Sequence, residues 1–311
     1  MRRRTIIATG VLIVLFVFAP VLFKHLFQEQ GRSFTGVPIS DLNWVEVGFR
    51  NSAQGIDLGG MLFVPRGDGP FPAAVVIHGS GTSSRSNGWY STLAHDLVER
   101  GILVLLPDKR GSEESGGDWQ TASFEDLATD TTAAVDFLAG LGNPRISRIG
   151  VIGMSQGGWI APIAAERSAA IDYLVTFSGA TVPPAEQLYY EEVNNLRQFG
   201  FLPGIAHGLA SLSSRWVMYI AQSDFWHGVR AFDPIWYWQD LNVDALFVFG
   251  EGDTNVPISA SIDKIEAVGN PRFKLVIFPG SGHAIEEPKE VGSRIIRPEA
   301  SEAVANFILG L

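Results

Sequence analysis

A serine stands between two glycines in the segment GMSQG, at a junction between two kinds of structure. The residues before Ser155 are apolar and β-branched, which is typical of a buried strand, and those after it have helical character. A hydroxyl at such a junction projects from a sharp turn, where Gly153 and Gly157 leave out side chains that would clash. The pattern therefore predicts an exposed serine that can act as a nucleophile.

A serine hydroxyl is a weak nucleophile and needs a neighbouring base, for which histidine is the usual choice. The chain has six histidines: His25, His78, His95, His207, His227 and His283. Only His283 follows the last predicted strand, in a glycine-rich loop. Ligands of parallel α/β sheets bind beyond the carboxyl ends of the strands, so we predict that His283 is the base.

A third group should orient the imidazole and stabilise its cation. Two carboxylates, Glu251 and Asp253, follow the preceding predicted strand in the segment FGEGDTNVP. Their positions in the sequence leave both of them open as the acid.

Short apolar runs, most of which end near a glycine, recur from residue 73 onwards, and helical segments lie between them. Continuous apolar runs are typical of strands that are buried on both faces. The alternation predicts an α/β fold with a mostly parallel central sheet and helices on both faces, preceded by a hairpin over residues 43–65.

The alternation is interrupted over residues 181–240, which show no clear strand and contain half of the eight tryptophans. We predict that this segment is a helical cap, inserted between residues 43–180 and 241–311 of the core. Its aromatic residues would line a pocket for an acyl or aryl group, or would form an ordinary core between helices.

The N-terminus combines three arginines with the uncharged, mostly apolar residues 6–23. This run is just long enough to span a bilayer, and Ala19 followed by Pro20 is a poor site for signal cleavage. We therefore predict a membrane anchor over residues 1–27, a linker over 28–42 and an extracytoplasmic catalytic domain. The alternative is a signal peptide whose cleavage releases a secreted protein.

Composition excludes several classes of function. The net charge is −10, which argues against nucleic acid as a partner, because binding it requires a basic face. The absence of cysteine excludes disulfides, thiolate metal sites and cysteine nucleophiles. No metal-binding motif is visible, so we expect neither a metal nor another cofactor. No feature of the sequence indicates an oligomeric state.

The segment GMSQG resembles the nucleophile elbow, Gly-x-Ser-x-Gly, of the α/β-hydrolase superfamily. Residues 43–311 are similar to its serine hydrolases, in the branch of the esterases and prolyl-oligopeptidase-related enzymes. The superfamily orders its catalytic residues as serine, acid and histidine. Its acid comes just before a Val-Pro helix entry, which here is Val256 and Pro257, so the resemblance favours Asp253 over Glu251.

Two backbone N–H groups should stabilise the oxyanion that develops during acyl transfer. Gln156 directly follows the serine at the predicted helix start and would supply one donor. The segment HGSGTSSR resembles the His-Gly oxyanion loop of the superfamily, which implies Ser80 as the second donor and Gly81 as its reserve. His78 would then brace this loop.

The segment PDKRGSEESGGDW also resembles a part of these hydrolases. Asp108 and Arg110 within it are predicted to be a buried polar brace and not catalytic groups, because charges near a core need partners.

The resemblance implies a serine hydrolase that cleaves small-molecule carboxylic esters through a Ser-His-Asp triad and an acyl-enzyme intermediate. A peptidase or a thioesterase with the same triad is the first alternative. Glu186, Glu191 and Glu192 would bind a substrate amine in a peptidase, or would form a solvated helix face. The second alternative is a non-catalytic binding protein on the same scaffold.

Overall fold

The computed structural model describes residues 34–141, 146–288 and 292–311. Its strands are β1 (Val45–Asn51), β2 (Ile56–Phe63), β3 (Phe71–Ile77), β4 (Leu103–Pro107), β5 (Ile146–Met154), β6 (Tyr173–Phe177), β7 (Asp244–Gly250) and β8 (Phe273–Phe278). They form one sheet in the order β1-β2-β4-β3-β5-β6-β7-β8. The hairpin β1–β2 is antiparallel, β2 pairs antiparallel with β4, and β3 to β8 are parallel, which confirms the predicted fold class.

The described helices are α1 (Gly88–Val98), α2 (Phe124–Gly140), α3 (Gly157–Arg167), α4 (Pro184–Phe199), α5 (Pro203–Trp216), α6 (Ser223–Val229), α7 (Ile235–Trp238), α8 (Ile258–Val268) and α9 (Pro298–Leu309). Alternate residues of a strand face opposite sides of the sheet. Accordingly, Ala73, Val75 and Ile77 of β3 join the core cluster that contains α2 and α3. Ala74 and Val76 join the cluster on the other face, with α1 and α9.

Helices α4 to α7 and a π-helical turn (Val217–Ala221) fill the chain between β6 and β7, and this fully described stretch contains no strand. Its tryptophans divide into two pairs. Trp226 and Trp238 are buried in the core, whereas Trp216 and Trp236 are more than half exposed. The buried pair therefore forms ordinary core between helices, which was one of the two predicted roles. The boundaries of core and cap stay predictions.

The prediction of a membrane anchor and of an extracytoplasmic location is wrong. No helix within residues 34–141, 146–288 and 292–311 is long and apolar enough to cross a membrane. The longest of these helices, α2, has 17 residues and carries four carboxylates. The prediction rested on the hydropathy of residues 6–23, which lie outside the described residues, and an apolar run of sufficient length does not by itself specify a spanning helix.

Candidate active site

Ser155 occupies a sharp turn between β5 and α3. Its φ of 51° lies in the left-handed region, which is strained for any residue except glycine. The turn is held by a 2.9 Å hydrogen bond from the Ser155 N–H to the Phe177 carbonyl of the adjacent strand β6. Backbone strain of this kind persists where the surrounding structure enforces it, and it is found preferentially at functional sites.

The glycines beside Ser155 are required by close backbone contacts. A Cβ added to Gly153 would lie 2.3 Å from the carbonyl oxygen of Gly157. A Cβ added to Gly157 would lie 2.5 Å from the carbonyl oxygen of Ile77 in β3. Neither position has room for a side chain, so the turn needs glycine at both.

The structure brings together three side chains that are far apart in the sequence. His283 Nε2 lies 3.0 Å from Ser155 Oγ, and His283 Nδ1 lies 2.8 Å from Asp253 Oδ2. A carboxylate can only accept hydrogen bonds, so Nδ1 carries the imidazole proton and donates it to Asp253. Nε2 is then free to accept the serine proton, which is the arrangement that a general base needs.

The Asp253 carboxylate is fully buried and firmly oriented. Its Oδ1 accepts hydrogen bonds from the N–H groups of Asn255 at 2.8 Å and Val256 at 3.0 Å, which leaves Oδ2 to the imidazole. The rival acid Glu251 is exposed, and its carboxylate accepts a long hydrogen bond from Gly280 N–H. The structure thus directs Asp253 towards the histidine and Glu251 away from it.

Two further side chains lie near the imidazole: Trp89, which the sequence did not assign to the site, and Glu191, which it assigned only in the peptidase alternative. The Trp89 ring lies 5.6 Å from the His283 ring, centroid to centroid, and its Nε1–H donates to the Ala284 carbonyl. Glu191 of α4 accepts a hydrogen bond from the Asn255 side chain. Burial raises the pKa of the Glu191 carboxyl, and the charges of His283, Glu192 and Asp253 also act on it. Glu191 is therefore partly buried beside the loop that carries Asp253, and it does not lie on a fully solvated helix face.

The loop after β3 passes directly against the serine. A Cβ added to Gly79 would lie 3.3 Å from Ser155 Cβ. Ser80, the next residue, is exposed, and Gln156 lies buried at the start of α3. Both predicted oxyanion donors therefore lie close to Ser155. Gln156 follows Ser155 directly in the chain, and Ser80 follows Gly79, whose backbone packs against Ser155.

His78 is a buried brace of this loop. Its Nε2–H donates to the Pro107 carbonyl at 2.6 Å, and its Nδ1 accepts from the Ser83 hydroxyl at 2.7 Å. Burial lowers the pKa of His78 to about 4, since the charged imidazolium would lose its solvation; the nearby Lys109 charge acts in the same direction. The ring is neutral at neutral pH and joins the end of β4 to the loop.

The buried, neutral His78 predicts that the free energy of unfolding decreases at acidic pH. An unfolded chain protonates His78 near pH 6.5, whereas the folded chain takes up that proton only near pH 4. Between these values the unfolded state binds more protons, so stability is lost as the pH falls through this window, by up to about 3 kcal/mol. We expect the unfolding free energies of wild type and His78→Gln, measured in urea, to converge as the pH is lowered from 6.5 to 4. Parallel pH curves for the two proteins would contradict the assignment.

The predicted polar brace consists of two separate ion pairs. Asp108 accepts two hydrogen bonds from Arg85, at 2.8 and 2.7 Å, and so fixes the far end of the loop after β3. Arg110 binds both carboxylate oxygens of Asp130 in α2, at 2.8 and 2.9 Å. Both partners lie on other elements, and Asp108 and Arg110 do not pair with each other.

Lys109 lies between Asp108 and Arg110 in the sequence, and the sequence did not indicate a role for it. It is only 7% exposed, and its ammonium group donates to Gly79 O at 2.7 Å and to Gln156 Oε1 at 3.0 Å. The available signal in the sequence was its position two residues after β4, whose carboxyl end faces the site. Among the described residues, no group of three or more histidines and carboxylates is arranged to hold a metal ion.

A cleft of about 800 Å³ begins at Ser80 and Gly81 and continues towards the inserted helices. Trp119 and Phe225 supply aromatic surface, and Ile220 adds an aliphatic side chain. The remaining walls are largely polar: Asp118, Gln120, Thr121, Gln222, Ser223 and Asp224. The cleft thus offers aromatic, aliphatic and polar surface to a ligand that reaches Ser80 and Gly81.

Comparison with known proteins identifies the fold family. The family model described as serine aminopeptidase, S33, matches residues 70–218. Esterase EstD of Thermotoga maritima is 27% identical over 240 residues, which cover 73% of this chain and 57% of that protein. Acyl-coenzyme A thioesterase 6 of Homo sapiens is 23% identical over 239 residues, which cover 73% of this chain and 52% of that protein.

The solved structure of the Pyrococcus furiosus esterase Pf2001 shares the architecture, with a TM-score of 0.62 over 90% of this chain and 95% of that chain. The chain has the α/β-hydrolase fold. This conclusion confirms the resemblance that rested on the elbow motif. At 19% identity the solved structure shows the fold of this chain and nothing finer. The chain spans about half the length of the curated relatives it matches.

Proposed function

We propose that the protein is a serine hydrolase that cleaves small-molecule carboxylic esters. The observation that carries the proposal is the pair of hydrogen bonds that links Ser155 to His283 and His283 to Asp253, at 3.0 and 2.8 Å. Esterases occur among both the curated relatives and the structural neighbours of the chain, which supports the ester as the bond that is cleaved.

In the proposed reaction, Ser155 Oγ attacks the ester carbonyl carbon while its proton passes to His283 Nε2. Asp253 stabilises the imidazolium through the Nδ1 hydrogen bond. The tetrahedral intermediate then collapses, and Nε2 gives the proton to the departing alcohol, which leaves an acyl-enzyme. Water attacks this acyl group as Nε2 takes a proton from it, and collapse of the second intermediate releases the acid and restores Ser155.

Negative charge develops on the former carbonyl oxygen in both tetrahedral intermediates. The backbone N–H groups of Gln156 and Ser80 would bind this oxygen. The first belongs to the N-terminal turn of α3, where N–H groups lack intrahelical acceptors, and the second belongs to the loop that contacts the serine through Gly79. Loss of one such donor typically lowers kcat by 10²- to 10³-fold.

Residues 181–240 would form a cap on the substrate cleft, and residues 43–180 and 241–311 would form the core. Two contacts support this division. Tyr190 of α4 donates its hydroxyl proton to the carbonyl of Asp253, and Asn194 donates to the carbonyl of Thr254. Residues of the π-helical turn and of α6 also line the cleft that begins at Ser80.

A peptidase with the same triad is the second candidate. The matched family model is that of serine aminopeptidases, and Glu191 lies half-buried beside the proposed acid loop, where it would attract a substrate ammonium. The acyl-coenzyme A thioesterase among the relatives suggests a thioester as a further substrate class, with a thiol as the leaving group.

An acyl-length series of p-nitrophenyl esters, assayed beside aminoacyl-anilides and acyl-coenzyme A thioesters, tests the proposal. We expect turnover of the esters with a kcat/KM at least about tenfold above that of the anilides and thioesters. A fluorophosphonate probe should label the wild type and leave Ser155→Ala unlabelled. Faster turnover of the anilides, lost in Glu191→Gln, would establish the peptidase instead. An unlabelled and inactive wild type would indicate a binding protein.

A further inference from the structure

We propose that Lys109 is a positioning residue that orients both oxyanion N–H groups at once. The inference rests on the proposed hydrolase function and extends it to a residue that the triad does not include. Its ammonium group contacts the two segments that carry the donors, although those segments are 77 residues apart in the chain, at Gly79 and Gln156.

The first contact acts on the peptide group that contains the Ser80 donor. Lys109 Nζ donates to the carbonyl oxygen of Gly79 at 2.7 Å. That carbonyl and the Ser80 N–H belong to the same planar peptide unit, so a bond that holds the oxygen also sets the direction of the N–H. Hydrogen bonding at one end of a peptide also polarises the other end and strengthens its donor.

The second contact acts on the other donor. Lys109 Nζ donates to Gln156 Oε1 at 3.0 Å, and Gln156 is 3% exposed. A buried side chain held in this way limits the motion of its own backbone, which carries the second N–H. The lysine therefore sets the distance between the loop after β3 and the start of α3.

The position of the ammonium group is itself enforced by its surroundings. Lys109 Nζ lies 4.8 Å from the centroid of the Trp119 ring, a distance typical of cation–π contact. The two hydrogen-bond acceptors of the ammonium group, Gly79 O and Gln156 Oε1, are both neutral, so its position does not depend on an ion pair with either of them. Burial lowers the pKa of Lys109 to about 7, and the neutral amine still has two N–H donors for its two acceptors.

Lys109→Met tests the inference, because methionine keeps most of the volume and removes every donor. We expect kcat for a p-nitrophenyl ester to fall about 10- to 100-fold, less than for complete loss of an oxyanion donor, with KM within twofold of wild type. Complete labelling of Ser155 by the fluorophosphonate should still be reached, at a lower rate. Lys264→Met, on the surface helix α8, is the matched control and should retain the wild-type kcat.

The outcomes separate this inference from the function on which it rests. A wild type that hydrolyses esters together with a Lys109→Met variant of equal kcat would overturn the inference alone. A loss confined to KM would overturn it too, and would assign Lys109 to substrate binding through Trp119. A wild type without esterase activity or labelling would overturn both proposals.

A second variant covers the case in which Lys109→Met does not fold. Gln156→Met removes the side-chain acceptor of the lysine and keeps the Gln156 N–H. We expect kcat to fall about 3- to 10-fold with KM unchanged, because one of the two contacts remains. An unchanged kcat in this variant would overturn the inference.

Discussion

Replacing Ser155 by alanine is expected to lower kcat for ester hydrolysis by about 10⁵- to 10⁶-fold, the loss typical of removing a triad nucleophile. The change deletes the Oγ that lies 3.0 Å from His283 Nε2 and leaves the base and its acid in place. The free energy of unfolding should stay within about 1–2 kcal/mol of wild type, because alanine adds no atoms to the crowded turn. Steady-state kinetics with a p-nitrophenyl ester and denaturant unfolding measure the two quantities.

Ser259→Ala provides the matched control, since it makes the same change on the exposed surface of α8. It should keep the wild-type kcat. His283→Ala should lose turnover as severely as Ser155→Ala, because a hydroxyl without a base is a poor nucleophile. Residual turnover above about one per cent of wild type in Ser155→Ala, after correction for contamination, would mean that another group performs the attack.

The second large effect is expected for Asp253→Asn, which should lower kcat by about 10⁴-fold. The N–H groups of Asn255 and Val256 bind Oδ1 and would select the amide oxygen of the new side chain. Its NH₂ group would then face His283 Nδ1 and force that nitrogen to accept a hydrogen bond. The imidazole proton would move to Nε2, which could no longer take the proton of Ser155.

Nitrogen NMR of the histidine ring would detect this change of tautomer directly. Glu251→Gln is the matched control, because it removes the same charge from the same loop at an exposed position. We expect its kcat to remain within about twofold of wild type. An unimpaired Asp253→Asn variant, with activity lost instead in Glu251→Gln, would transfer the role of the acid to Glu251.

The sequence determined the parts of this protein that depend on the local chain. Strand periodicity, the sharp turn at Ser155 and its glycines are properties of neighbouring residues, and they predict the parallel sheet and the elbow. The proximity of His283 to Ser155 also followed, because strands β5 and β8 run in the same direction and their carboxyl ends meet at one edge. Hydropathy alone was a poorer guide at the N-terminus, where the predicted anchor was wrong.

Only the tertiary structure decided which side chains meet across loops. Glu251 and Asp253 are two residues apart, and the turn that directs one inward and the other outward depends on contacts with a second loop, such as the 2.8 Å bond from Gly252 N–H to Ser281 O. The partners of Asp108 and Arg110 lie on other elements for the same reason. The contacts of Lys109 required β4 and β5 to lie on either side of β3 in the sheet, an order that periodicity along the chain does not encode.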